Sequence, residues 1–374
     1  MQHRIMTLCA ATIALGALLA PPAEATTTRA RFEVVNLVSD VKGKAAVHDP
    51  KVVNPWGLAM GKTLWVANTG TGTATVYSGQ GRKEATEVAV PGGAPTGQVA
   101  NTSGEGFTVK GKPATFIFAS PSGAITGWNA EADPANAVIG AFTRGADYKG
   151  LAMLETDEGR FLLAADFAGG RIHAFDDDFR RVRLARWQFR DPFLPDNYHP
   201  FNVSVINDAV WVSYALRDPN TGKAVPGRGK GFVSRFTEEG RLTGRIGRGP
   251  LNAPWAVTLA PRDFGAYSGA LLIGNFGDGT VHVFKRGRHL GPLRQANGQK
   301  IVLPGLWDLE PGTAETGGTN ALWFAAGIDG AKHGLVGMIR PAGSGPAVQP
   351  TPSSSPSQSQ SGNQRQSQEP PGGY

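Results

Sequence analysis

Three short segments decide the fold: Pro55-Trp56-Gly57-Leu58-Ala59, Leu64-Trp65-Val66-Ala67-Asn68 and Gly72-Thr73-Ala74-Thr75-Val76-Tyr77. Each is rich in Val, Thr, Trp or Leu and is bounded by Gly, Pro or Asn, so each reads as a strand between tight turns. The pattern is a turn, an apolar strand, a second apolar strand ending in a small or polar residue, a Gly turn and an alternating strand.

The same pattern returns five times along the chain. Its second copy holds Pro95-Thr96-Gly97, Phe116-Ile117-Phe118-Ala119 and Gly123-Ala124-Ile125-Thr126-Gly127-Trp128. The third holds Lys149-Gly150-Leu151-Ala152, Leu162-Leu163-Ala164-Ala165-Asp166 and Gly170-Arg171-Ile172-His173-Ala174-Phe175. The fourth begins at Pro200-Phe201-Asn202-Val203, the fifth at Pro254-Trp255-Ala256-Val257 and the sixth at Leu306-Trp307-Asp308-Leu309. The equivalent positions 57, 97, 150, 202, 256 and 308 lie 40, 53, 52, 54 and 52 residues apart. Spacing of that size, with about four strands per unit, predicts an all-β, six-bladed β-propeller. The sixth copy contains only three strands before the folded text ends. The alternating run at residues 31–37 (Arg-Phe-Glu-Val-Val-Asn-Leu) is therefore expected to supply its outer strand and close the ring. No long stretch between strands shows a 3.6-residue apolar period, which disfavours a parallel α/β fold.

Composition agrees. Of 374 residues 51 are Gly, about twice the usual share of ~7%, and charged residues are only 18%. With 40% hydrophobic residues and 8 Trp, the chain has ample material for a core, which excludes disorder throughout. A single Cys excludes a disulfide-stapled scaffold and cysteine-rich zinc modules.

The ends read differently. Residues 1–25 have Arg4, an apolar run and Ala23-Glu24-Ala25, the layout of a cleaved export signal. Cys9 lies inside that run, so the mature chain is expected to lack thiols. Arg4 and Glu24 cancel, leaving the net charge at +7. Residues 26–341 form the propeller. Residues 342–374 are Ser-, Gln-, Pro- and Gly-rich without Leu, Ile, Phe or Trp, and are expected to be a disordered tail. These readings predict a secreted or periplasmic monomer with no membrane span after signal removal and no nucleic-acid partner.

The copy at residues 55–81 resembles an NHL-type propeller repeat. More closely, Asn54-Pro-Trp-Gly-Leu58, Tyr148-Lys-Gly-Leu-Ala152, Ala164-Ala-Asp-Phe167, Leu251-Asn-Ala-Pro-Trp255, Gly274-Asn-Phe-Gly-Asp-Gly279 and His333-Gly-Leu335 resemble an uncharacterised family of exported bacterial propeller proteins. Many of its members carry a PEP-CTERM sorting tail, from which residues 342–374 depart. The resemblance implies fold and export but brings no reaction with it. Regucalcin- and gluconolactonase-like propellers, the enzymatic relatives, place carboxylate and Asn metal ligands just before the innermost strands. Here Trp56, Thr96, Lys149, Phe201 and Trp255 stand at those places, and such residues supply almost no oxygen ligands for a hard cation.

Candidate site residues follow from the repeat. The connections into the innermost strands share one face with the turns between second and third strands. That face is expected to carry Trp56, Thr96, Lys149, His199, Phe201, Trp255 and Trp307 around the channel mouth. Asn68, Asp166, Arg217, Asn275, Asp278, Asp329 and His333 are expected on the surrounding turns. The aromatic positions suit the floor of a pocket that stacks on a sugar or another flat ligand; the alternative is that they fill the taper between blades. Asp166, Asn275 and Asp278 suit either calcium or another divalent metal, or simple turn chemistry before Gly. Residues 215–230 are expected to form a mobile cover. The cationic run at residues 180–190 suits weak attraction to an anionic envelope polymer, or a solvated edge guarded by charge. No Gly-x-Ser-x-Gly, His-Glu-x-x-His or convincing phosphate loop is present. The reading is therefore a binding module for a small molecule, glycan or envelope polymer. Its alternatives are a hydrolase or lyase and a cell-envelope scaffold.

Overall fold

The computed structural model describes residues 30–247 and 249–344; the expected export signal at residues 1–25 and the expected tail from residue 345 onward lie outside the described residues. Six sheets form six blades, antiparallel throughout except that Val47–His48 adds a short parallel strand to the outside of the sixth. Their innermost strands are Pro55–Met60, Gln98–Ala100, Tyr148–Thr156, Tyr198–Ile206, Pro254–Leu259 and Leu306–Pro311, which we number blades 1 to 6. In blades 1 to 5 each successive strand of the main sheet pairs outward with the next.

Blade 6 is closed as expected. Phe32–Ser39 pairs antiparallel with Leu335–Pro341, Phe32 facing Pro341 and Ser39 facing Leu335. Arg340 Nε donates to Glu33 Oε1 at 2.5 Å across this seam. Phe32 is 1% exposed and stacks on Phe264 of blade 5, ring centroids 4.5 Å apart, which anchors the joint. Closure pairs an edge that would otherwise be open to other chains.

Second strands such as Leu64–Asn68 and Leu322–Ala326 are buried along their whole length, because neighbouring blades cover both faces. That explains why the sequence shows continuous apolar runs there instead of alternation. Outer strands such as Leu242–Gly247 and Arg288–Pro292 are mostly solvent-facing.

The innermost strands crowd together on one half of the ring. A Cβ added to Gly57 would strike the Thr96 carbonyl, one on Gly97 the Leu151 amide nitrogen, and one on Gly150 the Asn202 side-chain oxygen. Glycine at these three equivalent positions therefore permits close approach of backbone to backbone. The other half carries Asn202, Ala256 and Asp308 at the same positions. The ring is thus built asymmetrically around its axis.

Candidate functional site

Five of the six innermost strands contain a β-bulge beside the expected mouth position: between Pro55 and Leu58, Tyr148 and Gly150, Pro200 and Asn202, Pro254 and Val257, and Leu306 and Leu309. A bulge re-aims a side chain that regular alternation would send elsewhere. Trp56, Phe201, Trp255 and Trp307 consequently gather in one cluster. Trp56 stacks on Trp307 with centroids 3.5 Å apart, and Trp255 meets both rings edge-on at 6.4 Å. Phe201 lies 6.0 Å from Trp307. All four are at least 93% buried, Trp56 being the most exposed at 7%.

These rings fill the mouth with one another, so no ligand ring fits between Trp56 and Trp307. Two members of the cluster escaped the sequence reading. Phe276 stacks on Trp307 at 4.0 Å, and Phe167 packs on Phe201 at 5.1 Å. Both directly follow the polar residue that ends a second strand, Asn275 or Asp166, and that recurrence was the available signal. Two indole ends of the plug are tied down, Trp307 Nε1 donating to Asn54 Oδ1 at 2.9 Å and Trp255 Nε1 to the Lys149 carbonyl at 3.2 Å, whereas Trp56 Nε1 is buried without a partner. Thr96 Oγ1 donates to the Tyr148 carbonyl at 2.8 Å. Lys149 Nζ sits 5.6 Å from the Trp56 ring centroid and pairs with Asp147 at 2.8 Å.

The remaining sequence candidates stand apart, engaged in local structure. Asn68 is fully buried and donates to Thr75 Oγ1 at 2.9 Å. Asp166 Oδ1 accepts the amides of Asp147 and Gly169, both at 3.0 Å, while Oδ2 lies 3.5 Å from His173 Nε2. Asn275 bridges Asn252 N and the Pro250 carbonyl, and Asp278 accepts from Asn252 Nδ2 and Thr280 N, both at 3.1 Å. Asp166 belongs to blade 3, Asn275 and Asp278 to blade 5. Among the described residues no group of three or more His, Cys, Asp or Glu is placed to hold a metal.

His199 Nδ1 lies 2.6 Å from the Phe167 carbonyl. His333 pairs with Asp40 at 2.8 Å. Asp329 is exposed on a left-handed turn, φ 52°. Arg217 bridges to Ala224, inside the insertion at 215–230; Ala224 itself packs against the hydrophobic core that contains the aromatic rings. In the cationic run, Trp187 is 48% exposed and lies 5.0 Å beneath the Arg241 guanidinium.

The chemistry lies further along the axis. Beyond the plug, a cavity of about 210 Å³ is lined by residues of all six innermost strands, among them Gln98, Asn202, Ser204, Thr258, Asp308 and Glu310. On the far side these strands become part exposed, at Met60, Ser204–Ile206, Thr258 and Glu310; Asp308 is itself part exposed, and on the mouth side so are Lys149, Tyr198 and His199. The cavity therefore opens on the face of the inner hairpins, opposite the aromatic mouth. Trp255 is part of its wall.

Its polar groups are held by neighbouring blades. Asp308 Oδ2 accepts Leu58 N and Oδ1 accepts Leu309 N, both at 2.8 Å. Gln98 Nε2 donates to the carbonyls of Gly57 and Trp65, both at 2.7 Å. The peptide joining Gly57 to Leu58 is thus gripped at its oxygen by Gln98 and at its nitrogen by Asp308. Asn202 Nδ2 donates to the Trp255 carbonyl at 3.1 Å while its oxygen accepts Val203 N at 2.8 Å.

Burial pushes the Asp308 carboxyl up to about 7, against the pull of its two amide donors. Burial, reinforced by the Asp308 charge, raises Glu310 well above the carboxylate range. No Lys, Arg or His lines the cavity to offset these charges. The sequence reading missed this site. Its signal was that strand 6 alone carries acids at both the equivalent position and two residues beyond, where the other blades have Gly57 and Ala59, Gly97 and Val99, Gly150 and Ala152, Asn202 and Ser204, and Ala256 and Thr258.

Among the described residues no helix is long and apolar enough to cross a membrane. No family model matches the chain. Uncharacterized protein R648 of Acanthamoeba polyphaga mimivirus is 34% identical over 337 residues, 85% of this chain and 82% of that protein. Uncharacterized protein L690 of the same virus is 31% identical over 332 residues, 83% of this chain and 86% of that protein. Both are viral, so they carry no argument for a bacterial source or for export. Among solved structures, virginiamycin B lyase from Staphylococcus aureus matches with a TM-score of 0.50 and 13% identity, covering 83% of this chain and 99% of that one. At that identity the likeness is one of fold. The chain is a six-bladed β-propeller and belongs to the family that includes the mimivirus proteins R648 and L690.

Proposed function

We propose that this propeller is an exported binding module that takes a small polar ligand into its axial cavity from the hairpin face. The observation that supports this most strongly is the convergence of Gln98, Asn202, Ser204, Thr258, Asp308 and Glu310 on one cavity behind a sealed aromatic mouth. Few, convergent polar groups on apolar walls are what a small-molecule site requires. Sealing one end turns a pore into a blind pocket, which lowers the exchange of bound ligand with water. The residues at the loop face serve closure in this reading. The export signal at residues 1–25 supports a site of action outside the cytoplasm.

A second reading, acid–base catalysis as in a hydrolase or lyase, is favoured by one feature. Asp308 and Glu310 are two carboxyls on one cavity, both raised by burial, and paired carboxyls are what acid–base chemistry draws on. The test screens small polar metabolites by thermal shift against the wild type, Thr258→Phe and Lys149→Ala. Filling the cavity with Thr258→Phe is expected to abolish the shift of any hit, whereas Lys149→Ala leaves it intact. The reverse pattern would move the site to the loop face. Turnover of a hit, lost in Glu310→Gln, would select the enzymatic reading.

A further inference from the structure

We infer that the axial cavity selects a small organic cation, a primary ammonium compound of about six carbons. This deepens the axial-cavity reading and rests on it.

The first reason is charge. In a protein of net charge +7, the cavity wall holds two acids and no base. Desolvated carboxylates without a counter-charge are costly, and in this site the counter-charge has to come either from protons or from the ligand.

The second reason is independent of the acids. Gln98 is 5% exposed, and both hydrogens of its amide are spent on the Gly57 and Trp65 carbonyls. That fixes the amide orientation, yet its Oε1 is buried with no hydrogen-bond partner. A buried acceptor left unpaired costs on the order of 1–3 kcal/mol, and a ligand N–H relieves it. Gln98, Asp308 and Glu310 together offer three acceptors, and an ammonium brings three donors and no acceptor.

The third reason is shape. An engineered apolar cavity of roughly 150 Å³ holds benzene, so about 210 Å³ accommodates a six-carbon skeleton. Leu58, Leu151, Val203, Val257, Leu309 and Trp255 provide apolar wall for it, and an indole wall favours cations. A hard metal ion fits less well. It needs six or more oxygen ligands, and among the described residues no group of three or more His, Cys, Asp or Glu is placed to hold one.

Ion pairing with an ammonium draws the acids into their charged forms. Because no other titratable side chain lines the cavity, the linked protons come from Asp308 and Glu310. Binding therefore strengthens as pH rises from 6 to 8 and releases protons, an effect visible as a buffer-dependent heat.

The experiment titrates the full chain calorimetrically with cyclohexylammonium, with the neutral isostere cyclohexanol, and with calcium chloride alone. The expected result is binding of cyclohexylammonium at least tenfold tighter than cyclohexanol. It weakens at least tenfold in Glu310→Gln, whose melting temperature is unchanged or higher at pH 8. Equal affinity for cyclohexanol, abolished by Thr258→Phe, would overturn the cation while leaving the axial cavity in place. A calcium response without an ammonium response would make the site a metal site and overturn the inference. Absence of any cyclohexylammonium binding, with Glu310→Gln folded and equally silent, would also overturn it. The metabolite screen still decides the cavity reading by itself.

Discussion

The two ends of the propeller axis are built from neighbouring positions of the same repeat and do opposite things. At the loop face, the residue before each equivalent position is Trp56, Phe201, Trp255 or Trp307 in four blades, and bulges turn these rings inward to pack on each other. One and three residues further along strand 6, Asp308 and Glu310 face a hollow instead. The first end derives its character from apolar contact, which needs only bulk and shape complementarity. The second depends on polar groups whose satisfaction is incomplete until something enters. The difference teaches that aromatic residues at repeat-equivalent positions can mark where a propeller is closed, and that the sparse polar exceptions on the inner strands mark where it is open.

The largest effect expected from breaking this contrast is at the plug. Trp307→Ala removes the ring shared by Trp56, Phe201 and Phe276 and is expected to cost about 3–5 kcal/mol in denaturant unfolding. A cost below about 1 kcal/mol would mean that the mouth is a loose surface and the contrast false. Next in size is the inner ring. Gly150→Ala drives a methyl group into Asn202, and overpacking of this kind costs about 1–3 kcal/mol.

The pH dependence of stability sharpens the comparison from the other end. Asp308 is raised by burial from 3.8 to about 7, and Glu310 is raised too. The folded state therefore holds more protons than the unfolded chain, and these groups lower stability as pH rises from about 4 through 7. His173 and His282, both lowered to about 4 chiefly by burial, act in the opposite sense. Their contribution is complete about one pH unit above the ordinary histidine value of 6.5 and is lost as pH falls from there through 4. The histidine contribution is common to wild type and variant, so Glu310→Gln is expected to raise the denaturation midpoint at pH 8 and to reduce the loss of stability between pH 6.5 and 8 relative to the wild type. An unchanged profile would mean that the carboxyls are well solvated. The smallest expected effect is Lys149→Met. It loses one ion pair and one ring contact at the mouth, worth below about 1 kcal/mol, and it leaves ligand binding intact.

Much of this architecture was legible in the chain because a blade is local. Each sheet is made largely of consecutive strands, so a recurring apolar text such as Leu64–Asn68 exposes it. Closure was legible too, since the sixth copy lacked a strand and the run before the first blade supplied one. The aromatic positions were readable, but their mutual contact was not. It depends on bulges that shift register by one residue, and on Phe167 and Phe276 entering from turns. The acid pair stayed hidden for a different reason. In one dimension Trp307-Asp308-Leu309-Glu310 looks like an ordinary half-exposed strand. Only the ring brings its polar residues onto one axial cavity with those of the other blades. Asp166, Asn275 and Asp278 drew attention because carboxylates and amides beside Gly suit metals as well as turns, and their hydrogen bonds are those of turns.

The most direct test is thiol accessibility at the two ends. In a chain whose single Cys, Cys9, is replaced by Ser, Ser204→Cys reports the cavity and Thr96→Cys reports the mouth. The account predicts that a small methanethiosulfonate reagent modifies Ser204→Cys at least a hundredfold faster than Thr96→Cys under native conditions. Equal rates, or faster modification of Thr96→Cys, would show the aromatic end to be open and would contradict it.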